Sequence, residues 1–312
     1  MGNKTGISWT DATWNPVTGC TRVSEGCRNC YAESLAATRL KESPRYSGLA
    51  AVTPSGPRWT GKINLHPELL HQPISWRKPR RIFVNSMSDL FHPDVRDSFV
   101  DEIVATMAVT PWHTYQILTK RAGWMRSYFS NIPSDPYNTR YQYIFDAANV
   151  QLGKQMRWPL PNVWLGVSAE DQAAAEDRIP ELLETPAAIR FVSCEPMLDA
   201  IDLTNLCVDG CHRINALEGR FSDEPTLDWV IAGGESGTNA RPFYMEWAGS
   251  IRDQCKAAGV AFFMKQLGAN PYDDARPATT DEHPYAKLYC KSRNGSDPAE
   301  WPEDMRVQEF PR

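Results

Sequence analysis

A chain of 312 residues, 42% of them hydrophobic, is long enough to bury a sizeable core in one large domain or two small ones, which excludes a disordered polymer. No run approaches the roughly 18 consecutive apolar residues of a membrane span, and the polar start of the chain lacks the apolar core of a signal peptide, so a cytoplasmic protein with no membrane partner is expected. A formal charge of −5 excludes a surface that attracts polyanions everywhere and leaves room for a local basic patch.

In chain order, short β-rich apolar runs alternate with stretches of helical periodicity, the pattern of a parallel α/β fold. A first strand is expected just before Cys20 and a helix over 31–40. An insertion rich in Pro, Trp and basic residues fills 43–80. A strand follows over 81–86, and Phe99, Ile103, Val104 and Met107 then mark a helix over 97–109. The next strand, 113–119, precedes an insertion at 130–161; strand 162–168 and helix 170–183 come after it. Strand 188–194, an insertion at 199–226, strand 228–233, helix 244–258 and strand 260–265 complete the series. The polar, Pro-rich extension 269–312 is expected to wrap the outside. Six to seven parallel strands predict a partial (β/α) barrel over 1–268, interrupted by three insertions.

Chemistry in such a barrel sits at the carboxyl ends of the strands, and the residues there are unusually polar. They are Asn85, Ser86, Ser88 and Asp89, then Thr119, Lys120 and Arg121, then Ser168 and Glu170. Ser193, Cys194 and Glu195 follow, then Gly233, Gly234 and Glu235, and last Lys265 and Gln266. One rim is expected to collect them. Lys120, Arg121 and Lys265 read either as solvated loop charges or as partners of an anion, and Glu195 either as one half of a structural pair or as a substrate contact. The glycine pair is either a plain strand-to-loop turn or a place where backbone approaches a ligand.

Eight cysteines without an export signal point away from disulfides and towards metal ligation, catalysis or packing. Cys20, Cys27 and Cys30 share one loop with C-x6-C-x2-C spacing, flanked by Gly19 and Gly26. Three soft thiolates suit an iron–sulfur cluster or part of a zinc site, and structural thiols are the third reading. Structural zinc asks for four protein ligands, whereas a cubane with three keeps one iron open. Cys194, Cys255 and Cys290 read as core residues. Cys207-x3-Cys211-His212 reads as half a metal site, a loose pair or ordinary packing, so its role stays open.

The segment WNPVTGCTRVSEGCRNCYAE, with VNSMSDLF, QILTKR, VWLGVS, SCEPM, WVIAGGESG and FFMKQLG, resembles the phage-associated three-Cys-motif family of radical-SAM-like proteins from Trp14 to about Gly268. The commonest spacing in the broader superfamily is C-x3-C-x2-C, and the longer first spacing here alters the loop. The resemblance implies a [4Fe–4S] cluster on Cys20, Cys27 and Cys30 whose open iron chelates S-adenosylmethionine (SAM). One-electron cleavage would then give a 5′-deoxyadenosyl radical that abstracts hydrogen from substrate. It further implies SAM contacts at Asn85, Ser86 and Ser88 for the amine, at Ser168 and Glu170 for the ribose, and at Gly233, Gly234 and Glu235. Lys120, Glu195 and Lys265 are the candidate catalytic residues. A flavodoxin or ferredoxin would be the reductant, and a phage-encoded chain would work in the host cytoplasm.

The substrate class that the resemblance suggests is an amino-acid-substituted thymine in phage DNA, isomerised or otherwise modified. Trp59 and Trp76 beside the basic run Arg77, Lys78, Arg80 and Arg81 would supply stacking and phosphate contacts to DNA. The rival reading, of a different class, is a zinc-stabilised nucleic-acid-binding protein without catalysis that uses the same basic run.

Overall fold

The computed structural model describes residues 5–132, 140, 142–144, 146, 157–210, 212–219, 223–277 and 285–312. Its main sheet has seven strands: β1 Ala12–Trp14, β2 Arg81–Val84, β3 Thr114–Thr119, β4 Val163–Ser168, β5 Ile189–Cys194, β6 Trp229–Gly233 and β7 Ala261–Gln266. They are hydrogen-bonded in chain order and run parallel, the mixed α/β half-barrel class expected from the sequence. Five helices are described: α1 Tyr31–Ala37, α2 Asp97–Ala108, α3 Ala122–Ser130, α4 Gln172–Leu183 and α5 Met245–Ala258. Among the described residues no helix is long and apolar enough to cross a membrane.

Two compact units make up the chain. Met1–Val23, Ala32–Gly166 and Glu184–Ile189 form the first. Here Ala12 pairs with Ile82 and Trp14 with Val84, and Ile82 and Val84 pair in turn with Tyr115 and Ile117. These side chains share one buried face of the sheet, and Phe83 and Gln116, paired between them, are buried on the other, as parallel strands require. The Trp14 indole cannot be buried with an idle N–H, and it donates to the Leu69 carbonyl at 2.8 Å. α2 buries Phe99, Val100, Ile103, Val104 and Met107 at helical spacing. α3, which the strand-and-insertion reading did not include, buries Ala122, Met125, Tyr128 and Phe129.

The lead-in to the cysteine loop differs from expectation. The sheet strand β1 stops at Trp14, and the stretch that reads as a strand beside Cys20, Val17–Thr18, instead pairs antiparallel with Asn64–Leu65 of the 43–80 insertion. Gly19 follows with φ 91°, and a Cβ there would lie 2.2 Å from the Lys62 carbonyl oxygen, so this crossing needs glycine. α1 also ends three residues before the predicted 40, at Ala37.

The second unit comprises Ser24–Tyr31, Val167–Leu183 and Arg190–Arg312. α4 opens with the Asp171 carboxylate accepting the Ala174 N–H at 2.8 Å, an N-cap contact. α5 buries Met245, Ala248, Ile251 and Cys255 and closes on Gly259 at φ 70°, which turns the chain into β7. The end of the C-terminal extension covers the open edge of β7: Met264 N–H donates to Val307 at 2.8 Å and Glu309 N–H to Phe262 at 2.9 Å. Trp229 seals the same place, with its indole N–H on the Glu309 carbonyl and Phe310 packed 5.3 Å away.

Candidate functional site

Cys20 lies in the first unit, and Cys27 and Cys30 in the second. All three are half-buried. Cys194 and Cys255 are fully buried as expected, and burial pushes the Cys255 thiol up to about 12. Cys290 departs from the core reading: it is only half-buried, because the extension around it lies on the surface. Cys207 is a free thiol, Cys211 lies outside the described residues, and His212 pairs with Asp209 at 3.3 Å.

In the first unit, the residues after β2 fasten the backbone that leads to Cys20. Asn85 Oδ1 accepts the Val17 N–H at 3.3 Å, Ser86 donates to Asn15 at 3.1 Å, and Ser88 donates to the Val17 carbonyl at 2.9 Å. Asn85 takes φ 58°, an unusual angle for a side-chain-bearing residue that asparagine tolerates best. Its Nδ2 is buried without a hydrogen-bond partner. A buried amide donor left idle costs free energy unless something outside the chain accepts from it.

Beyond β3, Arg121 approaches Cys20 itself. Its Nη1 stands 3.8 Å from the Cys20 sulfur and 2.9 Å from Asp89, and its Nη2 donates to the Thr21 carbonyl at 3.0 Å and the Thr21 hydroxyl at 2.8 Å. Burial opposes the charge on Arg121, but Asp89 and then Cys20 outweigh it and hold the guanidinium more firmly protonated than usual. Lys120 is half-buried, and its backbone N–H donates to Asp89 at 3.3 Å. On the far side of the loop, Arg22 is paired with the buried Glu33, which also accepts the Trp59 N–H at 2.7 Å.

In the second unit, two carboxylates at strand ends grip the Cys27–Cys30 turn. Glu170, after β4 and 1% exposed, accepts the Gly26 N–H at 3.3 Å and pairs with Arg178 at 2.9 Å. Arg178 also donates to the Ser168 carbonyl at 2.7 Å, so Ser168 and Glu170 share one guanidinium. Glu235, after β6, accepts from Asn29 Nδ2 at 2.9 Å and from Arg241 through the backbone N–H and Nε, each at 3.0 Å, and Nη2 at 2.6 Å. Burial raises the Glu235 carboxyl, and the bonds from Arg241 and Asn29 more than offset this, holding it below the usual range. Both glutamates therefore act on the cysteine turn, whatever else they touch.

The remaining expected residues divide. Lys265 and Glu195 form a close pair at 2.6 and 2.7 Å, the structural-pair alternative for Glu195. Gly234 is where backbone meets backbone: a Cβ would lie 2.2 Å from the Leu267 carbonyl oxygen, while Gly233 is less constrained, at 3.2 Å from Gln266. In the basic run, Arg81 pairs with Asp11 at 3.3 Å and the Arg80 guanidinium covers the Trp76 ring at 4.8 Å. That Trp76 face already carries a protein cation. Sequence reasoning missed Asn29 and Arg241: the first is signalled only by its place between Cys27 and Cys30, the second by nothing beyond its charge.

Among the described residues no three His, Cys, Asp or Glu side chains converge as ligands of one ion would. A cubane binds each cysteine to a separate iron and does not require such convergence. By chemistry, three cysteines of one loop are the soft ligands such a cluster takes, and in the first unit the Asn85 amide donor and the cation against the Cys20 sulfur suit an anionic or polar group.

The family described as a protein of unknown function, DUF5131, matches residues 4–296. The chain belongs to the DUF5131 family. No curated protein and no solved structure matches it.

In this DUF5131 chain the fit of the cysteine turn can be tested at Gly26. A Cβ there would sit 2.8 Å from the Glu170 carboxylate carbon, and Arg178 prevents that carboxylate from backing away. Gly26→Ala is expected to cost about 1–3 kcal/mol, as overpacking does. Thermal unfolding at the wild-type midpoint would show that the turn is not held as described.

Proposed function

We propose that the chain is a radical SAM enzyme, with Cys20, Cys27 and Cys30 holding a [4Fe–4S] cluster and an amino-acid-substituted thymine of phage DNA as substrate. The observation that carries the reading is the loop itself: three half-buried cysteines between β1 and α1, with side chains from other strand ends holding its backbone at Thr21 and Gly26 and its Asn29 side chain. Ordinary structural thiols need no such grip.

A bound cluster with an open iron would deliver one electron to SAM and so provide the radical that removes hydrogen from an unactivated carbon. The chain's own residues bind and orient. Asn85 Nδ2 offers a buried donor to an acceptor of SAM, and Asn85, Ser86 and Ser88 keep the approach to Cys20 fixed. Glu170 and Glu235 keep the Cys27–Cys30 turn fixed, which is the positional precision that hydrogen abstraction demands. Lys120, Glu195 and Lys265 remain the candidates for substrate contact. A flavodoxin or ferredoxin would supply the electron, and the cytoplasm, where thiols stay reduced, is the compartment that suits such a loop.

After anaerobic reconstitution the chain is expected to turn brown, to absorb broadly in the visible and to release 5′-deoxyadenosine from SAM with dithionite. A colourless zinc protein would refute the reading in favour of the nucleic-acid-binding alternative. With phage-type modified DNA, unmodified DNA and free nucleosides as separate substrates, the digested nucleosides would be resolved by chromatography and mass spectrometry. Isomerisation leaves mass unchanged, so a shifted retention time with a changed fragmentation pattern is the expected signal. Turnover of a small metabolite alone would sink the DNA substrate.

A further inference from the structure

The Arg121 side chain is built into its place more heavily than a loop cation needs to be. Asp89 is itself fixed by the Thr119 hydroxyl at 2.7 Å, the Phe91 N–H at 3.0 Å and the Lys120 N–H at 3.3 Å before it receives Arg121 Nη1 at 2.9 Å. The Thr119 hydroxyl also accepts the Arg121 backbone N–H at 2.9 Å, so backbone and guanidinium are anchored through one threonine. Nη2 is held by Thr21, the residue next to Cys20. With Asp89 on one side and Thr21 on the other, Nη1 is left facing the Cys20 sulfur at 3.8 Å. Arg121 and Asp89 are each less than a tenth exposed, so this charge acts through little water.

Resting on the cluster reading above, we infer that Arg121 is a positioning residue that directs an N–H donor at the Cys20 sulfur and thereby raises the reduction potential of the cluster. Reduction adds one electron and no proton, so the cluster becomes more negative by one charge. A cationic donor at a ligand sulfur stabilises that state more than the oxidised one, since hydrogen bonds to the sulfurs and local charge both set cluster potentials. Asp89 tempers the positive charge without blocking it, because it takes one hydrogen of Nη1 at 2.9 Å and leaves the other for the sulfur.

The test is a potentiometric titration of reconstituted protein, without SAM, followed by electron paramagnetic resonance of the reduced cluster. Arg121→Met is expected to keep wild-type iron and sulfide but to lower the one-electron reduction equilibrium about tenfold, a downward shift of about 59 mV. Arg121→Lys retains a charge that cannot reach Asp89, Thr21 and Cys20 together, and should fall between. Should Arg121→Met fail to fold, Thr119→Val loosens both Asp89 and the Arg121 backbone while keeping the guanidinium, and is expected to shift the midpoint the same way by less. A purely structural role would lower the melting temperature and leave the midpoint unmoved. A fully loaded variant with the wild-type midpoint overturns the inference, as does a folded Arg121→Met chain that takes up no cluster. A wild-type chain without a cluster overturns both this inference and the function proposed above, and is told apart because it is seen before any variant is made.

Discussion

Replacing Cys20, Cys27 or Cys30 by alanine is expected to leave the anaerobically reconstituted chain without its visible absorption and without the roughly four irons of a cubane. The reason is ligand count. A cluster with an open iron has three protein ligands, and removing one leaves two irons without protein sulfur, which solvent and chelators then strip. Among the described residues Cys194 and Cys255 are fully buried in strand and helix, Cys207 lies in the 199–226 insertion and Cys290 in the C-terminal extension, so none of them belongs to the cysteine loop. Cys290→Ala is accordingly expected to retain full iron, sulfide and colour, and serves as the control for a lost thiol. Iron and sulfide assays with visible spectra decide the matter. Wild-type content in Cys27→Ala would overturn the ligand assignment, and loss of one zinc per chain in place of iron would identify the rival metal.

The strands of the sheet were legible because parallel strands are buried on both faces and announce themselves as apolar runs, as RIFV and WVIAG do. The short β1 was misplaced because Val17 and Thr18 carry the same β-branched signal as a sheet strand, while their actual partners, Asn64 and Leu65, lie in an insertion whose pairing no local pattern reveals. α3 could have been found: Ala122, Met125 and Phe129 recur at helical spacing, but Gly123 and a run of mixed aromatics weaken the pattern. At the site, polar residues at strand ends were readable one by one, and their partners were not. A carboxylate at a strand end, such as Glu170 or Glu235, looks the same in sequence whether it faces a ribose, a side-chain amide or a backbone N–H. Only the fold shows the Gly26 amide and the Asn29 side chain, each more than a hundred residues away in the chain, at the end of each bond.

Glu170→Ala is expected to destabilise the protein by about 3–5 kcal/mol, among the largest losses available to a single substitution here. The carboxylate is 1% exposed and its partner Arg178 is nearly as buried, so removing the acid strands a guanidinium in a low-dielectric interior. Arg178 keeps the Ser168 carbonyl at 2.7 Å and the exposed Asp177 carboxylate at 3.9 Å, which together replace the buried, two-point pair with Glu170 only in part. The same substitution also takes away the acceptor of the Gly26 N–H, so two effects are superposed, and a double variant separates them. Glu170→Leu with Arg178→Met replaces a buried ion pair by apolar side chains of similar bulk, which is often neutral or stabilising. It should recover most of the lost stability, but it cannot restore the bond to Gly26. Urea unfolding reads the first effect and hydrogen exchange at the Gly26 amide reads the second. Agreement of Glu170→Ala with wild type to within about 0.5 kcal/mol, the range of an ordinary surface change, would show that the pair is not the buried anchor described. Slow Gly26 exchange in the double variant would show that the cysteine turn is held by something other than Glu170.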